Sequence, residues 1–287
     1  MKFGIYLPPF GELADARVLA GLARDAEEAG WDGFFTWDHV AFGWFTTPIV
    51  DPWIAFSAIA MTTSRIRFGP LITPLARRRP WKLARETVSL DHLSGGRLIL
   101  GVGLGGGPAE FDALGEPQDK KVLGKRLDEA LDVLTGLWSG EPFHYEGSCY
   151  HIKRAHFLPK PLQSPRIPVW VGGSWPNLPP FRRAARWDGV FPIHCNEEEI
   201  LTPEQLADVV AYVRRHRKTE EPFEVVTTGF TPGDNPARAA DQAALYLKAG
   251  ATWWLENINP FRFGWKMQGP WPVEAMRERI LQGPPKL

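Results

Sequence analysis

Short apolar runs and amphipathic stretches alternate along the whole chain. The apolar runs fall at residues 2–7, 33–37, 66–73, 98–102, 168–171, 189–191, 223–228 and 251–256. Between them, helical spacing is clearest at 16–30, where Leu19, Leu22, Ala23 and Ala26 precede a terminating Gly30, and at 126–138, where Leu127, Ala130, Leu131, Leu134 and Leu137 precede Gly140. Further helices are predicted at 203–216, 236–248 and 272–281, each with proline in its first turn, where a missing N–H costs nothing. Parallel strands joined by crossover helices read this way, and about eight strands close a (β/α)8 barrel. The expected fold is therefore α/β: one TIM barrel over residues 1–287, with an insertion at about 140–167 after strand four. Within that insertion, Phe143-His144-Tyr145 and Tyr150-His151-Ile152 flank Glu146-Gly147 as a small hairpin.

Composition narrows the function classes. Lysine plus arginine and aspartate plus glutamate both number 33, so no global field recruits nucleic acid or an anionic membrane. Two cysteines, Cys149 and Cys195, form no CxxC pair, which speaks against a disulfide framework or a thiolate zinc site and for a reducing cytoplasm. His144, Cys149 and His151 cluster without a metal motif, and no G-x-S-x-G elbow or P-loop occurs. No run is long enough for a signal h-region or a membrane span, so the expectation is a soluble, unexported protein.

In such a barrel, chemistry gathers at the carboxyl ends of the strands. The residues there are Phe10 after strand one, Asp38-His39 after strand two, Pro70 to Pro74 at strand three, Gly103 to Gly107 after strand four, Gly172-Gly173-Ser174 after strand five, His194 after strand six, and Glu256-Asn257 at strand eight. His39 is the leading candidate for chemistry, because imidazole exchanges protons near neutrality; the alternative is that Asp38-His39 caps its loop. Asp38 is the candidate to orient it. The Gly172-Gly173-Ser174 turn suits a phosphate through bare N–H groups and the serine hydroxyl, or is a tight turn with no ligand. Thr73 either contacts a ring or phosphate or caps the turn before Pro74. Arg77-Arg78-Arg79 either grips an anionic tail or, the preferred reading, forms a solvated face. Trp37, Trp44, Trp175, Trp253 and Trp254 suit an aromatic wall, with core packing the alternative for each, and Glu256 is either a pocket acid or an outward charge.

Three segments carry a resemblance: Gly33-Phe34-Phe35-Thr36-Trp37-Asp38-His39, Leu90-Asp91-His92-Leu93-Ser94-Gly95-Gly96-Arg97-Leu98-Ile99-Leu100-Gly101-Val102-Gly103, and Pro168-Val169-Trp170-Val171-Gly172-Gly173-Ser174. In this order they resemble the luciferase-like monooxygenases, (β/α)8 barrels that use FMN or the deazaflavin F420. The resemblance implies a functional residue at His39 and cofactor contacts at Pro70, Leu71, Gly172, Gly173 and Ser174; the residues themselves add Thr73, and Gly103 and Gly105, whose bare backbone lets a flat ring approach. It also implies a non-prolyl cis peptide near Pro70-Leu71, a homodimer and a separate flavin reductase as partner. Substrate contacts are expected from Phe10, Trp37, Trp44, His194, Trp254 and Glu256. Some F420-dependent members carry a glutamate after strand four; here that position falls near Gly106, and Glu110 follows four residues later.

The preferred chemistry is oxygenation of a small organic substrate with reduced FMN, His39 steadying the oxygen leaving the flavin, because no clear glutamate follows strand four; the alternative is hydride transfer with F420, with His39 as acid or base. The rival class is an NAD-dependent dehydrogenase, because the stretch 101–107 contains G-x-G-x-x-G; the missing acidic strand end about twenty residues on argues against it. A non-catalytic flavin-binding protein is the remaining alternative.

Overall fold

The apolar runs become parallel strands, and the amphipathic stretches become helices outside them. The computed structural model describes residues 1–42, 47–196 and 199–287. In chain order the elements are β1 (Lys2–Leu7), α1 (Ala16–Glu28), β2 (Gly33–Thr36), α2 (Pro52–Thr62), β3 (Arg67–Pro70), β4 (Thr73–Pro74), α3 (Pro80–Ser94) and β5 (Leu100–Gly103). There follow α4 (Lys120–Trp138), β6 (Phe143–Glu146), β7 (His151–Ala155), β8 (Val169–Trp175), α5 (Leu178–Ala184), β9 (Gly189–His194), α6 (Pro203–His216), β10 (Glu224–Gly229), α7 (Pro236–Lys248), β11 (Trp253–Asn257) and α8 (Val273–Leu281).

Nine strands run in the order β3-β2-β1-β11-β10-β9-β8-β5-β4. Because β3 and β4 are two pieces of one stave, interrupted at Leu71 and Ile72, the sheet has the expected eight staves. The seam closes where the Ile99 N–H donates to the Phe68 carbonyl at 2.9 Å, beside a parallel bridge between Phe68 and Leu98. Side-chain alternation then sorts two cores. Phe35, Leu71, Ile99, Trp170, Phe191, Val226, Trp253 and Leu255 fill the interior, while Phe34, Phe68, Val169, Val171 and Trp254 face the helices in a larger outer core. Among the described residues, no helix is long and apolar enough to cross a membrane.

The helices at Pro203–His216 and Pro236–Lys248 begin and end where proline and the apolar spacing placed them. The helix expected at 126–138 starts six residues earlier, capped by Asp119. Helix α2 carries apolar residues on its exposed side as well, with Ile54 and Met61 at 63% and 70% exposure, so no polar stripe marks its period. The small hairpin is present as β6 and β7, paired antiparallel.

The charged residues of the Leu90-to-Gly103 segment hold the amino end of the barrel. Arg97, 9% exposed, donates to the carbonyls of Ala60, Thr63, Ile66 and Ser94 and to the Thr63 hydroxyl. Asp91, fully buried, accepts from the Leu162 and Gln163 amides and the Gln163 side chain. Glu129 on α4 anchors the hairpin turn, accepting from the Ser148 hydroxyl and the N–H groups of Ser148, Cys149 and Tyr150. Burial pushes the Glu129 carboxyl up, but these donors outweigh it and hold the group down at about 2.

Two outcomes follow. Arg97→Met orphans several carbonyls and lowers unfolding free energy by about 3 kcal/mol in urea titration. Glu129 is bound more weakly to its proton folded than unfolded, so its contribution to stability is full above about pH 4.5 and fades as pH falls toward 2. Melting curves of Glu129→Gln show a lower melting temperature at neutral pH and a flatter acid dependence across that window.

Candidate active site

Strand β2 ends at Thr36, and the chain runs on through Trp37, Asp38 and His39 at the carboxyl mouth. Asp38 turns into the protein. Its side chain is fully buried and accepts from the Thr73 hydroxyl at 2.7 Å, Trp53 Nε1 at 3.2 Å and Arg78 Nη2 at 2.7 and 2.8 Å. Arg77 Nη2 stands 3.9 Å from Asp38 Oδ1 and 3.8 Å from Glu110 Oε1. Two carboxylates therefore face two guanidinium groups, which is how charges persist in a buried layer.

His39 points the other way, and its partner is Glu110 rather than Asp38. Nδ1 lies 3.1 Å from Glu110 Oε2, tilted off hydrogen-bond alignment. Glu110 Oε1 accepts from the Val40 amide at 2.6 Å. Burial pushes the Glu110 carboxyl up, yet His39, the Val40 amide and Arg77 together hold it below the usual carboxylate range, so it stays ionised. The rings of Phe10, Trp37 and Phe42 surround the imidazole at centroid distances of 5.6, 5.9 and 5.4 Å.

Around the mouth, strand alternation turns inward the residues that share a face with the inner core. Ser174 lies on the face of Trp170, Thr228 on that of Val226, and Ile193 packs on the inner cluster with Tyr6 and Ile72. The Tyr6 hydroxyl donates to the Leu71 carbonyl at 3.1 Å. Trp37 Nε1 and Thr228 Oγ1 are buried without a protein partner. Alternation along β1, β9 and β10 could have flagged Tyr6, Ile193 and Thr228 from sequence; Ile72 could not be found that way, because the stave breaks there.

Several expected roles change. The non-prolyl cis peptide joins Leu71 and Ile72, one bond beyond Pro70-Leu71; Pro70 closes β3, and Leu71 belongs to the inner core. Gly172, Gly173 and Ser174 are strand, not turn; the turn comes after Trp175. A Cβ on Gly103 or Gly172 would meet the Ile72 side chain at 2.7 Å, so both glycines make room for that residue. Gly173 backs onto Pro180, and Gly105, at φ +69°, onto Pro74 and Phe111. The Thr73 hydroxyl is committed to Asp38. Arg77 and Arg78 are drawn inward, contrary to a solvated face, and only Arg79 of the three is exposed.

The substrate wall also shrinks. Trp254 packs on Tyr246 of α7, and Glu256, fully buried, binds Thr231, Arg262 and Arg279 between barrel and helices. His194 shares the outward face with Trp175, its neighbour in register, and accepts from the Asn196 amide. Phe10 is buried beneath His39 and Trp37. Trp44 lies outside the described residues.

The family model for luciferase-like monooxygenases matches residues 1–278. The chain belongs to the luciferase-like monooxygenase family. This makes it an oxidoreductase of a family that works with FMN or F420. An uncharacterized protein of Mycobacterium tuberculosis is 30% identical over 233 residues, 74% of this chain and 77% of its own length. The oxygenase component of a flavin-dependent trigonelline monooxygenase from Acinetobacter baylyi is 28% identical over 183 residues, 62% of this chain and 49% of that protein. Among solved structures, the F420-dependent tetrahydromethanopterin reductase of Methanopyrus kandleri superposes with a TM-score of 0.77 at 19% identity, covering 98% of this chain and 96% of that one, which is agreement in fold.

The charge layer under His39 makes Asp38 a stability residue. Asp38→Asn leaves Arg78 buried with a neutral partner and costs about 3 to 5 kcal/mol, read as a lower urea midpoint at unchanged slope.

Proposed function

We propose that the barrel mouth binds reduced FMN and that the enzyme oxygenates a small organic substrate, with His39 moving a proton at the reacting centre. The observation that carries the choice of FMN over F420 is the fate of the arginines. Of the groups the sequence offered to an anionic tail, Arg78 is hydrogen-bonded to Asp38, and Arg77 is held in the same buried layer 3.8 Å from Glu110 and 3.9 Å from Asp38, so both charges are balanced within the protein. Glu110, the carboxylic acid nearest the position used by F420-dependent relatives, is likewise ionised and engaged.

The mouth fits a flat, polar-edged ring. Buried Trp37 Nε1 and Thr228 Oγ1 lack protein partners, and a ring bearing carbonyl and nitrogen edges satisfies such atoms. Ile72 supplies an apolar surface over Gly103 and Gly172. Bound FMN supplies electrons to activate oxygen. The chain supplies the rest: Ser174, inward at the end of β8, donates to the cofactor's phosphate; Tyr6 and Trp37 exclude water; His39 gives or takes the proton. The reduced flavin comes from a separate reductase, as the designation of the Acinetobacter baylyi relative as an oxygenase component suggests. Two copies of the chain pair as a homodimer, and two free cysteines suit a reducing cytoplasm.

Fluorescence titration of the purified protein with FMN, anaerobically reduced FMN and F420 tests the cofactor. Reduced FMN binds at least about tenfold more tightly than F420; the opposite order overturns the proposal. His39→Ala lowers kcat about a hundredfold with flavin affinity held within about tenfold, whereas Ser174→Ala weakens flavin binding and spares saturated turnover.

A further inference from the structure

Glu110 does more than fill a buried position. One oxygen accepts from the Val40 amide at 2.6 Å, and the other stands 3.1 Å from His39 Nδ1, off hydrogen-bond alignment, so a single carboxylate holds the backbone of the loop and faces its ring. It is 3% exposed, on a one-turn π-helix at Pro108–Asp112 beyond β5. The neighbour in sequence, Asp38, is unavailable, because Thr73, Trp53 and Arg78 occupy its oxygens. Arg77 lies 3.8 Å from Glu110 Oε1 and supplies the countercharge; Asp38 and Arg78 balance each other on the far side of the loop. Among the described residues, Phe10, Trp37 and Phe42 also pack on the imidazole.

An ionised carboxylate only accepts hydrogen bonds, so a bare Nδ1 at 3.1 Å would set a lone pair against an anion, and the contact favours the proton on that nitrogen. We infer that Glu110 is the positioning residue of His39: it commits the ring proton to Nδ1, fixes the ring's orientation, and leaves Nε2 as the nitrogen that exchanges a proton at the mouth. Nδ1 is the buried nitrogen, and the ring as a whole is 29% exposed. The consequence for turnover rests on the role proposed above for His39; the tautomer does not.

Glutamine at 110 separates this role from mere packing. Its carbonyl can keep the Val40 amide while its NH2 group faces Nδ1, which then has to accept, moving the ring proton to Nε2. The experiment is a long-range proton–nitrogen NMR spectrum of the 15N-histidine-labelled full chain at pH 8, with the His39 signals assigned by their loss in His39→Gln. The wild-type chain shows Nδ1–H with a bare Nε2, and Glu110→Gln shows the reversed tautomer. In turnover, Glu110→Gln lowers kcat about 10- to 100-fold with KM nearly unchanged, and Glu110→Asp restores part of the loss. A wild-type Nε2–H tautomer, or one that Glu110→Gln leaves as it was, overturns the inference. Should Glu110→Gln not fold, the wild-type spectrum decides alone. An Nδ1–H tautomer in a chain that binds no FMN would defeat the proposed function and leave this inference standing.

Discussion

Closure of the barrel between β3 and β5 is the constraint from which the site grows. The two backbones approach so closely that a Cβ on Gly69 would collide with the Ile99 carbonyl, and one on Gly101 with the Pro70 carbonyl. Just past this contact the stave breaks, Ile72 enters the mouth, and pairing resumes with Thr73 opposite Val102. The space that Gly103 and Gly172 leave bare is taken by Ile72, and Thr73 arrives where its hydroxyl reaches Asp38. Backbone proximity thus sets both the apolar surface of the mouth and the first hydrogen bond of the charge layer beneath it.

That layer is costly unless balanced. Isolated, any one of Asp38, Glu110, Arg77 or Arg78 would carry a desolvation penalty of several kcal/mol. Together they neutralise one another, and hydroxyl, indole and amide donors take up the remaining carboxylate oxygens. The arrangement divides the labour between adjacent residues. Asp38 is spent on holding the segment down, and the His39 ring packs instead among Phe10, Trp37 and Phe42, beside Glu110. A pair of neighbours with opposite orientations is what a chain leaving a strand provides, since successive side chains point to opposite faces.

The staves were legible because buried parallel strands are short apolar runs, and proline and glycine marked most helix ends. Helix α2 was hidden by apolar residues on its exposed side. In the site, His39 was legible from its place after β2, whereas its partner was not: Glu110 sits 71 positions away, past two helices, and only the closed barrel brings it beside the loop. The Arg77-Arg78-Arg79 run was misread for a related reason. A local charge run looks solvated until the distant carboxylates that bury it are known, and here Glu110 is one of them. Trp254 and Glu256 fell to strand parity: the inner positions of β11 are Trp253 and Leu255, and the run of apolar residues around them gave no sign of which side was inside.

The segments that make the family recognisable divide between the two ends of the barrel. At the amino end, Arg97 ties α2 to the strand entries through backbone carbonyls, and Asp91 accepts from the Leu162 and Gln163 amides. Trp37 to His39 and Ser174 stand at the carboxyl end. Conserving a barrel's closure at one end leaves the loops at the other free to change chemistry, so the strength of the resemblance speaks to the scaffold more than to the reaction. What sets this chain's chemistry is therefore to be sought in the residues its own loops bring to the carboxyl end. After β5 the chain has glycine at 105–107, its next acid, Glu110, faces His39, and Arg77 and Arg78 stand in the same buried charge layer. A family member that offered a free acid and free arginines at the same places would present a cofactor with a different electrostatic environment on the same frame.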